Sequence, residues 1–232
     1  LAGMGFVECV THSLVSIGAA NQFLLNDESP LLIDDDRAAA EPALRPSLLP
    51  SLLTVKKHNE DNGVNNVRLS ELGSVFVIKD GIHKESSELA LILDSEEDNG
   101  ISELRGVIDR IHSVLTATTS TTVIPSNDAP WLEPGGDIIF NGNSVGRIGR
   151  LSTAVQKIWG LSNTIHVAQL NLSDLFASFP PDVQSHPLPK QPAIERDVSI
   201  IVTEDVLWSN VFDTIMALDL PMLEDVAYIT TF

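Results

Sequence analysis

The sequence predicts an α+β fold built on an antiparallel sheet, and three observations carry that expectation. Two stretches of alternating, β-branched residues fold back on short turns, one at Asp80-Gly81 and one at Asn141-Gly142. Two further stretches, beginning at "RPSLLPSLL" and at "SELRGVIDRIHSVL", place apolar residues at helical spacing. Strands and helices do not alternate as the βαβ units of a parallel sheet would require.

Taken in order, "GFVECVTHSLVS" reads as a strand and "IGAANQFLL" as a short helical turn, followed by a strand and a loop in "PLLIDDDRAAAEPA". The acidic "DDDR" suggests a metal-binding cluster at first sight. Consecutive strand residues point to opposite faces and adjacent loop residues diverge, so a solvated loop is expected instead. In "RPSLLPSLL", Ser47 serves as N-cap. Leu48 is then the first helical residue and Pro50 the third, inside the turn whose N–H groups have no intrahelical partner. Leu48, Leu49, Leu52, Leu53 and Val55 form one wide apolar face. The following "KKHNEDNG" supplies cations to the last turns and a stop at Gly63.

"NNVRLSELGSVFVI" and "KESSELALILDS" then form a hairpin around Lys79, Asp80 and Gly81. Leu104, Val107, Ile108, Ile111 and Leu115 line one face of the next helix. A strand is expected in "TATTSTTVIP", and a hairpin in "GDIIFNGNSVGRIGRL". Five prolines in "FPPDVQSHPLPKQP" can sustain neither a helix nor a central strand, which marks a linker. Beyond it, "RDVSIIVTEDV" reads as a strand, "LWSNVFDTIMALD" as a helix opening near Leu207, and "LEDVAYITTF" as a second strand. A β-α-β unit this short cannot cover both its faces, so a truncated second domain is expected.

Composition bounds the function. With 43% hydrophobic and 20% charged residues over 232 positions, the chain is globular and large enough to bury a substantial core. No apolar run approaches the roughly 20 residues that span a bilayer, so no membrane partner is expected. The 32 acidic and 14 basic residues give a net charge of −18, a field that repels phosphate backbones. The start at Leu1 shows neither a basic segment nor a cleavage pattern, so a fragment of something longer, without a targeting segment, is expected. The single cysteine, Cys9, sits in an apolar run and reads as a buried inert thiol in a reducing compartment.

Catalytic motifs are weak. Arg68 and Glu71 are three apart, so in a regular strand they face opposite sides and cannot share one nucleotide site. "GRIGRL" has Gly146, Arg147, Gly149 and Arg150, but it lacks the longer glycine repeat that lets a nucleotide approach the backbone. The histidines at 12, 58, 83, 112, 166 and 186 show no metal spacing. Trp131, Trp159 and Trp208 lack the basic interleaving of nucleic-acid stacking platforms and read as core or interface anchors.

The ordered series "GFVECVTHSLVS", "LRPSLLPSLL", "VRLSELGSVF", "ELRGVIDRIHSVL", "GNSVGRIGRL" and "QPAIERDVSIIVTEDV" resembles the C-terminal part of bacterial phenylalanyl-tRNA synthetase β subunits. The chain departs from that family's pattern at Asn62, at Ser70, at Glu133–Gly135 and at the Arg150–Ser152 stretch. The resemblance implies a class II aminoacyl-tRNA synthetase-like antiparallel sheet flanked by helices. It also implies a non-catalytic, catalytic-like module over residues 1–185, and over 186–232 a linker with a truncated ferredoxin-like anticodon-binding domain. By the same resemblance the chain would be a cytoplasmic scaffold packing against a catalytic α subunit in an (αβ)₂ heterotetramer. That α subunit would use ATP and magnesium to charge tRNA-Phe with phenylalanine, and no cofactor, metal or catalytic residue is expected in this chain. The subunit interface would hold Arg45, Leu48, Leu49, Leu52 and Leu53, with one leucine pair on the sheet and the other on a partner helix. The alternative is a stand-alone acidic protein-interaction domain of the same fold.

Overall fold

Two turns with positive φ at both central residues set the frame. Asp80 and Gly81 (φ 54° and 72°) and Asn141 and Gly142 (φ 48° and 80°) each close a two-residue hairpin of the type whose twist matches the flanking strands. The first joins β5 (Arg68–Lys79) to β6 (Ile82–Ser95), and the second joins β8 (Leu132–Phe140) to β9 (Asn143–Leu151). Both hairpins stand where the alternating sequence puts them. The computed structural model describes residues 1–34, 40–95, 99–116, 121–177, 179–180 and 192–231, and the chain divides into two units, Leu1–Gln184 and Ser185–Phe232. Asp35, Asp36 and Arg37 of the acidic loop lie outside the described residues.

In the first unit, β10 (Thr164–Asn171) lies between the hairpins and pairs antiparallel with β6 on one side and β9 on the other. β7 (Thr122–Pro125) extends the sheet beyond β8. At the other side, β1 (Val7–Glu8) pairs parallel with the start of β5, and β3 (Glu28–Pro30) pairs antiparallel with its end. The result is an eight-stranded sheet in the order β1-β5-β6-β10-β9-β8-β7, with β3 also on β5.

Period-two alternation sends the apolar residues of this sheet into two cores. One holds Leu89, Leu91 and Leu93 of β6 with Leu104, Val107 and Ile108 of α3 (Gly100–Thr116). The other holds Ala90, Ile92, Ile165 and Val167 with Leu48, Leu49, Leu52 and Leu53 at the start of α2 (Leu49–Asp61). A sheet covered by helices on both faces has a central strand with no polar side, and residues 165–170 of β10 are all buried.

Several expected elements are corrected. "GFVECVTHSLVS" is not one strand: Val7–Glu8 joins the large sheet, while β2 (Leu14–Val15) pairs with β4 (Ala43–Leu44) in a separate small one. Between them the Thr11 N–H and hydroxyl bond to Glu71 and redirect the chain. Helix α2 is bounded at Leu49, one residue later than expected, yet Leu48 already has helical dihedrals (φ −75°, ψ −15°) and Ser47 Oγ accepts the Leu49 N–H at 3.0 Å, as an N-cap does. Lys56 is no solvated helix-end cation. It is fully buried, with Nζ 2.7 Å from Glu60 and 3.1 Å from Asp94 at the end of β6. In the second unit, α6 (Trp208–Met216) forms as expected, but no strand forms among residues 192–231. Val198, Ile201, Met222 and Ile229 all stay exposed there, so no sheet has formed that would bury them.

The glycines of "GRIGR" are structural. A Cβ on Gly146 would stand 2.0 Å from the main-chain oxygen of Gln169, and one on Gly149 would stand 2.5 Å from that of Pro134. Gly146→Ala is therefore expected to destabilise toward the upper end of the roughly 1–3 kcal/mol typical of overpacking, because the obstacle is backbone that cannot rotate away. The urea midpoint of the variant measures it.

Candidate functional site

A cleft of about 450 Å³ opens on the α2 face of the sheet, where the end of β5 and the first half of β6 meet the start of β9 and the end of β10. Its walls include Phe23, Trp131, Glu88, Arg147, Gln169 and Asp174. Trp131 is held by a tilted contact with Phe23 at 5.7 Å between ring centres. Its indole N–H donates to Gln169 Oε1 at 3.0 Å. The Gln169 amide nitrogen in turn donates to Ser47 Oγ at 2.9 Å and to Glu88 at 3.3 Å. Glu88 also accepts the Leu48 N–H at 2.9 Å, so its carboxylate sits where the unpaired N–H groups of α2 begin. Burial pushes Glu88 above the usual carboxylate range, and the hydrogen bonds from Leu48, Gln169 and Ser47 only partly oppose it.

The sign of that shift fixes a pH dependence. A carboxyl whose pKa is raised on folding stabilises the fold below its unfolded value, near 4.5, and that contribution is lost as pH rises through the folded value. Glu88→Gln removes the titration. The variant is expected to gain thermal stability relative to the wild type as pH is raised from 4.5, and parallel melting curves at every pH would contradict it.

The sequence-derived candidates do not converge on this cleft as a catalytic set. Arg68 faces α3, where its guanidinium pairs with Glu103 and donates to Met4 O at 3.4 Å. Glu71 faces the opposite side and is bound by Arg45 at 2.8 Å and by Thr11. The strand geometry separates the two as their spacing requires. Arg147 reaches the cleft wall, 3.6 Å from Asp137, while Arg150 Nε donates to Glu133 O at 2.8 Å. Burial, and then the charge of Glu71, push the Cys9 thiol up, away from the thiolate a nucleophile needs. His112 is buried in a stack on Phe140 at 3.8 Å, and burial lowers its pKa against the opposing pull of Asp109. Trp131 and Trp159 both pack on Phe23 as anchors, and Trp159 Nε1 donates to Gln22 at 2.7 Å.

The residues expected at a subunit interface take other positions. Leu48, Leu49, Leu52 and Leu53 are each 0% exposed, so both pairs are core and neither is left for a partner helix. They share one buried cluster with Ala90, Ile92, Ile165 and Val167 of the sheet and with Trp131 and Val155. Arg45, 3% exposed, spends its donors on Glu71, Thr11 and Ser74 O within the unit. The Glu88–Gln169–Ser47 and Lys56–Glu60–Asp94 clusters were not singled out by sequence reasoning. Glu88 and Gln169 lie on strands 81 residues apart, and nothing local to either marks the meeting.

Residues 1–172 match the family model of the phenylalanyl tRNA synthetase beta chain CLM domain. The chain belongs to this family. Among curated relatives, the phenylalanine–tRNA ligase beta subunit of Geobacillus kaustophilus is 28% identical over 98% of the chain. That of Bacillus cereus is 26% identical over 97%. The chain spans about 30% of the length of these beta subunits. In solved structures, a pyrrolysyl tRNA synthetase from Desulfitobacterium hafniense shares the fold at 14% identity, with a TM-score of 0.60 over 75% of this chain and 63% of that one. The class II synthetase-like sheet expected of the CLM domain family is therefore present. Among the described residues no helix is long and apolar enough to cross a membrane.

Proposed function

We propose that the chain is the C-terminal part of a cytoplasmic phenylalanine–tRNA ligase β subunit. Residues 1–185 serve as a non-catalytic scaffold for a catalytic α subunit in an (αβ)₂ assembly that charges tRNA-Phe with ATP and magnesium. The observation that carries this reading is the splitting of Arg68 and Glu71 onto opposite faces, each engaged by a partner inside the unit. Arg150 is likewise committed to a backbone carbonyl. The cleft holds Glu88 and Gln169 at its floor, and its lining cations Lys79 and Arg147 stand beside Asp27 and Asp137, which leaves little positive field to hold a triphosphate.

Residues 186–232 are read as a linker and the beginning of a ferredoxin-like domain. Its amphipathic helix α6 and the β-branched run at 198–203 support this, and the exposed apolar residues await the strands that would complete the sheet.

The chain alone is expected to give only background ATP–pyrophosphate exchange with phenylalanine and magnesium, whereas a co-expressed α subunit is expected to co-purify with it and restore exchange. Exchange by the chain alone that is lost in Arg147→Ala or Arg150→Ala would overturn the scaffold reading. Failure of any α subunit to co-purify would favour a stand-alone module.

A further inference from the structure

We propose that the cleft binds a small extended zwitterion, an ω-amino acid whose ammonium meets Glu88 and whose carboxylate meets Arg147. The proposal goes beyond the scaffold reading and needs no α subunit. A cavity of about 450 Å³ falls within the roughly 300–1,000 Å³ of small-molecule clefts. Two groups of opposite charge in its lining lack the partner their chemistry calls for. Arg147 Nε is buried without a hydrogen-bond partner, because the nearby Asp137 Oδ1 lies 3.6 Å away, beyond hydrogen-bond reach. A guanidinium in that state is completed by an incoming anion. Glu88 is half-buried, and among the described residues it forms no ion pair. Its hydrogen bonds come from the Leu48 N–H, the Ser47 hydroxyl and the Gln169 amide, all neutral donors. An ammonium would supply the missing countercharge.

The sheet sets the spacing of the two charges. Arg147 of β9 stands opposite Gln169 of β10, and Glu88 of β6 stands opposite Asn171, two residues further along β10, so both project on the same face. With β10 between them and about 4.8 Å per strand, the main chains of β6 and β9 lie roughly 10 Å apart. Arg147 leans toward Asp137 on β8, away from β6, which keeps its guanidinium well clear of Glu88. An α-amino acid, with one carbon between its charged groups, is too short to meet both. A chain of methylenes can meet both. The floor between the charges favours such a spacer. Both N–H groups of the Gln169 amide are engaged, by Ser47 and Glu88, and the Trp131 N–H is engaged by Gln169. A polar spacer would leave water and find no donor at either residue.

The remaining charges rank the ligands. Glu28 and Asp174 add negative charge to the walls, while Lys79, the other lining cation, is already paired with Asp27 at 2.7 Å. An amine alone therefore binds better than a carboxylate alone. The zwitterion binds better than either because it answers both charges.

The test is isothermal titration calorimetry of the full chain with 6-aminohexanoate, set against glycine, hexanoate and hexylamine. The first probe is expected to bind about tenfold tighter than each of the others, the gain of one charge-assisted hydrogen bond. Arg147→Met is expected to bring 6-aminohexanoate down to the affinity of hexylamine and to leave hexylamine unchanged. Glu88→Gln is expected to weaken both amine-bearing probes. The four probes on the unaltered chain decide the matter even where a variant fails to fold. Equal affinity for 6-aminohexanoate and glycine, no binding of any probe, or wild-type binding of 6-aminohexanoate by either folded variant would overturn the proposal, and none of these results bears on association with an α subunit.

Discussion

Leu52→Asp is expected to abolish the cooperative melting transition of the first unit. Leu52 is 0% exposed and packs beneath α2 among Leu48, Leu49, Ile92 and Val167. A carboxylate there meets no water, and Lys56, one turn on, is already paired with Glu60 and Asp94, so burying it costs several kcal/mol. Domain stabilities are about 5–15 kcal/mol, so one such residue removes much of the margin. Leu52→Ala isolates the packing part of the loss, about 2–5 kcal/mol for a filled core site. Thr54→Asp places the same charge on the exposed side of the same helix and is expected to shift stability by no more than about 0.5 kcal/mol. Circular dichroism melting of the three variants separates the outcomes. A Leu52→Asp chain that melts like the wild type but no longer binds an α subunit would return this leucine to the interface.

Arg45→Met should be nearly as damaging, for an electrostatic reason. Arg45 and Glu71 are 3% and 2% exposed and 2.8 Å apart. Removing the guanidinium strands a carboxylate that keeps only the Thr11 donors, and breaking a buried pair from one side costs about 3–5 kcal/mol. Arg45→Lys restores charge but cannot reach Glu71, Thr11 and the Ser74 carbonyl together, so partial recovery is expected. The double variant Arg45→Met with Glu71→Leu is expected to recover most of the loss, because it leaves no orphaned charge. Urea denaturation of the wild type, Arg45→Met, Glu71→Leu and the double variant measures the cycle. Additive losses in the double variant would show that the two residues act independently.

These two positions also mark where sequence reading stops. The apolar spacing of "SLLPSLL" predicts a helix with a buried stripe, and that helix forms. What the stripe touches depends on the sheet behind it, and adjacent leucine pairs look alike whether the second pair meets a partner or Trp131. Strand β10 is covered on both faces, so the strand that joins the two hairpins offers no clean period-two signal in the sequence. Lys56 sits in a run of polar residues that resembles a solvated helix end, and only its meeting with Asp94 across the α2–β6 contact makes it core.

The sequence by itself determined what depends on neighbours along the chain. Turn residues that tolerate positive φ placed both hairpins, helical spacing placed α2 and α3, and a three-residue separation kept Arg68 and Glu71 on opposite faces. The tertiary structure alone decided which polar groups are buried together. Arg45 meets Glu71, Lys56 meets Asp94, and Glu88 meets Gln169 across separations of 26, 38 and 81 residues, the middle value being the difference of the two residue numbers. Local propensity acts through dihedral angles and side-chain period, which a short window of sequence contains. The energy of a buried charge is set by the dielectric and the counter-charge around it, and both are supplied by strands and helices that only the completed sheet brings together.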